Sequence, residues 1–124
     1  MNQTRTLGFM LFAVLLLSIA CAKSSEKKSI DIYQAIEIAN RAIEEKGISR
    51  ASVELICARR HELPHNEVVP RKPTIEYEKA LAKRLTGRTY WYVCYRTPAA
   101  EMGGDYGVFV DGNSGEVIEL YMGR

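Results

Sequence analysis

The sequence predicts an α+β domain: an antiparallel sheet of about four strands with one or two helices packed on one face. Three observations predict it. An apolar stripe at helical spacing opens the domain, the last third is rich in aromatic and β-branched residues, and Gly112-Asn113-Ser114-Gly115 links the final two apolar runs as a hairpin connection. Helix, strand, helix and then a meander is the order of a sheet with its helices segregated to one side. A chain of 124 residues holds one domain, and 47% hydrophobic with 26% charged residues is ordinary for a globular protein. Seventeen basic against fifteen acidic side chains leave a formal charge of +2, too little field to gather nucleic acid.

Residues 1–20 read as an address. One arginine, Arg5, precedes an almost wholly apolar run from Leu7 to Ala20. Those 14 residues are short of the roughly 20 that a spanning helix needs, and they match a signal-peptide apolar region. Leu17-Ser18-Ile19-Ala20-Cys21 resembles the bacterial lipobox, with Ser18 where leucine is more usual. That resemblance implies cleavage before Cys21 and lipidation of its thiol, with an ordinary cleaved signal as the alternative. Residues 22–29 are small, polar and partly basic, as a tether between lipid and domain would be. The domain then covers 30–124. Ala22 after the cysteine, rather than an aspartate, favours the outer membrane by the sorting pattern of enteric bacteria, so the expected location is the envelope, facing the periplasm.

Within the domain, Ile32, Ala35, Ile36, Ala39 and Ile43 share one helical face; Asp31 with Gln34 forms a capping box, and Gly47 follows the last turn. Ala51–Arg59 alternates as a strand, and residues 60–73, with Pro64, Pro70 and Pro73, read as a solvated loop. A helical pattern returns from Thr74, with Tyr77, Ala80, Leu81 and Leu85 on one side, acids in its first turn, bases in its last, and Gly87 at its end, and predicts a second helix. Thr89–Thr97, Tyr106–Asp111 and Val117–Met122 complete the sheet.

Several side chains are candidates for chemistry. His61-Glu62-Leu63-Pro64-His65 spells the H-E-x-x-H zinc pattern, which needs both histidines one turn apart on a helix with the glutamate as general base. Pro64 denies that helix, and the chain has no third histidine, so the expectation is no catalytic residue, no cofactor and no metal, with His61 and His65 as weak candidates only. Cys57 and Cys94 remain after lipidation; in neighbouring strands of an oxidising compartment they form either a disulfide or two separate buried thiols. Asp111-Gly112-Asn113-Ser114-Gly115-Glu116 is a hairpin turn rather than a calcium loop, since the glycine and glutamate positions do not match. Trp91 belongs to the core. One helix-covered face buries only about half of the other sheet aromatics, so Tyr90, Tyr92, Tyr106 and Tyr121 are expected to present a partner-binding patch, rimmed by Arg59 and Arg60 and by Arg71 and Lys72. Tyrosines with buried rings and solvated hydroxyls are the alternative.

Ala35-Ile36-Glu37-Ile38-Ala39, the run Tyr90-Trp91-Tyr92-Val93 and the closing stretch from Gly103-Gly104-Asp105 to Asp111-Gly112-Asn113-Ser114-Gly115-Glu116-Val117-Ile118 together resemble the PepSY family. With the terminal Gly123-Arg124, the same stretch is similar to the immunity-protein family of nuclear-transport-factor-two-like fold. The resemblance covers residues 30–48 and 88–124, and implies a helix wrapped by a curved antiparallel sheet, as in PepSY and cystatin-like domains. It implies a non-enzymatic, lipid-anchored module that binds and occludes a protein: a secreted peptidase in the first case, a periplasmic toxin in the second. A structural envelope lipoprotein is the alternative class.

Overall fold

Asp31 accepts a hydrogen bond from the Gln34 backbone N–H at 2.8 Å while the Gln34 side chain accepts from Asp31 N–H at 2.9 Å, and this reciprocal cap starts helix α1, Ile32–Glu45. The computed structural model describes residues 28–98 and 104–123. After α1, a short 3₁₀ turn, Arg50–Ser52, leads into β1, Glu54–His61. Helix α2, Glu76–Leu85, follows a long connection, and then come β2, Tyr90–Arg96, β3, Asp105–Asp111, and β4, Val117–Met122. The strands form one antiparallel sheet in the order β1-β2-β3-β4, with β1 and β4 as edges.

Strand alternation sorts the core into two layers. On one face Val93, Tyr95, Val108 and Val110 pack with Ala35, Ala39 and Ile43 of α1, flanked by Trp91, Tyr106 and Leu120. Alanine at two of the three buried α1 positions lets that helix lie close to the sheet. Asn40 Oδ1 accepts from the Tyr95 hydroxyl at 2.6 Å and from Arg50 Nε at 3.1 Å, pinning the helix at its far end.

The opposite face is also covered. Tyr90, Tyr92, Phe109 and Ile118 pack beneath Leu81 and Leu85 of α2 and Val69 of the connecting loop. Arg84 fastens α2 to β4 by donating to the Ile118 carbonyl and pairing with Glu119 at 3.1 Å. The four-stranded α+β sheet is therefore as expected, but its helices occupy both faces rather than one. The reason is that β2 is apolar on both sides, so a single helical layer would have left Tyr90, Tyr92 and Phe109 wet.

The 60–73 segment also differs from a solvated loop. Its first two residues extend β1, and Asn66 folds the remainder. Its Oδ1 accepts from the backbone N–H groups of Val68 and Val69 at 2.8 and 2.9 Å, while its amide donates to Pro64 O and to the Tyr90 hydroxyl. This turn aims Val69 into the core, where it is 1% exposed.

Candidate functional site

The expected tyrosine patch does not survive as a unit. Tyr90 is fully buried and Tyr92 is 6% exposed, so neither offers surface to a partner, because α2 and the Asn66 turn cover the face they occupy. Burial pushes the Tyr92 phenol up to about 12, as expected for an enclosed hydroxyl. Tyr106 is half-buried on the α1 face, Tyr121 is half-buried on the α2 face, and the two no longer share a side of the sheet. Arg59 and Arg60 are exposed on β1, where Arg59 pairs with Glu67 at 3.1 Å. Arg71 and Lys72 are exposed on the connecting loop.

The histidine motif is split between two elements. His61 ends β1 and stacks on Tyr90, with ring centroids 5.4 Å apart, whereas His65 lies in the loop. Helical i, i+4 ligation is therefore geometrically closed to the pair. His61 Nε2 comes within 2.9 Å of Glu67 Oε2, but without hydrogen-bond alignment. Both histidines line an open cleft of about 760 Å³ with Arg60, Glu62, Asn66 and Glu67. Among the described residues no three His, Cys, Asp or Glu side chains converge to hold a metal.

Cys57 and Cys94 face each other directly in the β1–β2 register, with Cα atoms 5.0 Å apart and the sulfurs at disulfide distance. They form the floor of a smaller cleft of about 200 Å³ that Arg59, Glu67, Arg96 and Asp105 surround. The lipobox, with Cys21, lies outside the described residues. Among those described, no helix is long and apolar enough to cross a membrane.

A feature the sequence reading missed sits beside α2. Ile75, Tyr77, Tyr121 and Met122 line an open groove of about 800 Å³ together with Glu119 and Leu120. Ile75 is 54% exposed, Tyr77 42% and Met122 61%, an unusual run of large apolar side chains on one surface. The Tyr77 and Tyr121 rings lie 6.2 Å apart and tilted. Partial burial, then Glu119 and Tyr121, hold the Tyr77 phenol above its ordinary value against the lowering effect of Arg84. The signal that could have found the groove was Ile75 standing just before the first turn of α2, beside Tyr77 at the outer end of the stripe that continues through Leu81 and Leu85.

The groove lies away from the point where the chain enters the domain. Ile30 N–H donates to Gly112 O at 2.8 Å, and the Ile30 carbonyl accepts from the Trp91 indole at 3.3 Å, fixing entry at the β3–β4 turn. Met122 pairs with Tyr106 at the other end of β3, about 20 Å along the strand. No protein-family model matches the chain, and neither does any curated protein or solved structure, so the PepSY and immunity-protein resemblances stand on the residues quoted above alone.

Proposed function

We propose that this protein is a non-enzymatic, lipid-anchored envelope protein that binds and occludes a protein partner through the groove between α2 and β4. The observation that carries this reading is the exposed apolar group Ile75, Tyr77 and Met122 around the half-buried Tyr121. Aromatic and methionine side chains concentrate at interface cores, where desolvating them contributes most to binding. Polarity along the sheet supports the same reading. With Cys21 as the lipid attachment and residues 22–29 as tether, the entry end at Gly112 is the end held to the membrane, and the groove stands at the other. The resemblances to PepSY and immunity domains suit a partner that is a secreted peptidase or a periplasmic toxin. The test is retention of envelope proteins by the full-length chain and by its Tyr77→Glu/Met122→Lys variant. One stoichiometric protein held by the first and lost by the second is the expected result; identical retention by both would overturn the assignment of the groove.

A further inference from the structure

The backbone beside the groove has unmet hydrogen-bonding capacity of a defined phase. Gly123 N–H donates to Asp105 O at 2.8 Å, which makes those two a hydrogen-bonded pair of the β3–β4 ladder. In an antiparallel ladder such pairs alternate with pairs whose backbone groups point away. Tyr121, opposite Gly107, therefore spends its N–H and C=O on β3, while Leu120 and Met122 turn theirs outward. Among the described residues β4 is an edge strand with nothing paired to that outer side. Nearer the start of the strand, Arg84 occupies the Ile118 carbonyl and the register shifts between Phe109 and Val110, and Glu119 Oε1 accepts from Leu120 N–H at 3.1 Å, so the open groups are the Leu120 carbonyl and the N–H and carbonyl of Met122, beside Tyr77 and Ile75. The other edge, β1, is blunted by its irregularity between Leu55 and Cys57 and by Arg59 and Arg60.

We infer that the groove takes an extended peptide segment of the partner, which adds to Leu120–Met122 as a fifth strand and sets an apolar side chain among Ile75, Tyr77 and Met122. This rests on the protein-binding reading above and names the form the partner must take. Strand addition supplies affinity through main-chain bonds and selectivity through side-chain pockets at alternate positions, and both halves of that arrangement are present here. Size decides against a second copy of this chain. Six residues line the groove, far fewer than the roughly 20–30 that each side contributes to a standing two-protein interface. A single strand fits that size.

The test is selection of a phage-displayed library of random peptides on the purified full-length chain. Enriched peptides should carry apolar residues at i and i+2. N-methylation of every second amide should abolish binding in one phase and be tolerated in the other, because only one set of amides faces the edge. Met122→Pro, which removes an outward N–H that β3 does not use, should weaken binding about tenfold. Should that variant melt early, Tyr77→Glu gives the same comparison through the pocket. Enrichment of helically spaced peptides, equal binding by both N-methyl phases, or no enrichment beyond that on Tyr77→Glu would each overturn the inference. If the Tyr77→Glu/Met122→Lys variant still loses a partner in those cases, protein binding stands and only the strand-addition mode fails.

Discussion

A Cβ at position 107 would stand 2.6 Å from the Tyr92 hydroxyl and closer still to its ring, so Tyr92 crosses β3 over the one residue that leaves room for it. Gly107→Ala must displace a ring packed 4.8 Å from Phe109, and is expected to lower stability by about 1–3 kcal/mol in a denaturant titration. Asp111 works differently. Burial alone would raise its pKa, but the backbone N–H groups of Ser114 and Asn113, the Ser114 hydroxyl and Arg88 together outweigh that and hold the carboxyl below its ordinary 3.8. The unfolded chain therefore binds this proton more readily than the folded one. The stabilisation is complete above the unfolded value and is lost as pH falls through the folded one. Asp111→Asn is expected to cost roughly 1–2 kcal/mol at neutral pH, with the gap to the parent closing below about pH 4. A gap that stays constant down the acid limb would show that the charge of Asp111 contributes nothing.

At the scale of elements, the cross-strand cysteines tie edge strand β1 to β2 across 37 residues of chain. A bond closing such a loop stabilises by roughly 3–4 kcal/mol on loop entropy. Cys57→Ser and Cys94→Ser are each expected to lose about that much, and the double variant no more than either single one, as read by thermal or chemical unfolding. Additive losses would mean two independent thiols. The elements were legible in the sequence where a local rule fixed them: the Asp31 capping box, the dipole-ordered charges of α2 and the hairpin closed by Gly115 at φ +76° all form as their residues dictate. The placement of α2 was not legible, because Trp91/Val93/Tyr95 and Tyr90/Tyr92/Cys94 are both apolar and periodicity alone does not say which face a distant helix covers. The Asn66 turn was hidden for a related reason. A run with three prolines reads as loop, and only the tertiary partner, the Tyr90 hydroxyl, shows that the loop is folded onto the core.

Over the whole molecule, the candidate site was legible only in part. Tyr121 was read from the sequence and lies in the groove with its neighbour Met122, but Ile75 and Tyr77 come from a separate stretch of chain that meets them only once α2 is laid against β4. Tyr90 and Tyr92, read as surface, became the floor of a second core because the fold had more cover than one helix supplies. The proposed orientation, lipid at the Gly112 end and groove at the Met122 end, has its own check. Cys21→Ser is expected to abolish palmitate labelling and release the protein from the membrane fraction, while leaving the unfolding transition of the domain unchanged; continued membrane retention would contradict anchoring through this thiol. The central claim, that a partner docks at the α2–β4 groove, is tested most directly by photo-crosslinking in living cells. A photoreactive residue is placed in turn at positions 77 and 122 of the groove and, as a control, at exposed Arg41 on α1. One discrete adduct from 77 and 122, absent from 41, is the expected result; adducts from 41 alone, or from none of the three, would contradict it.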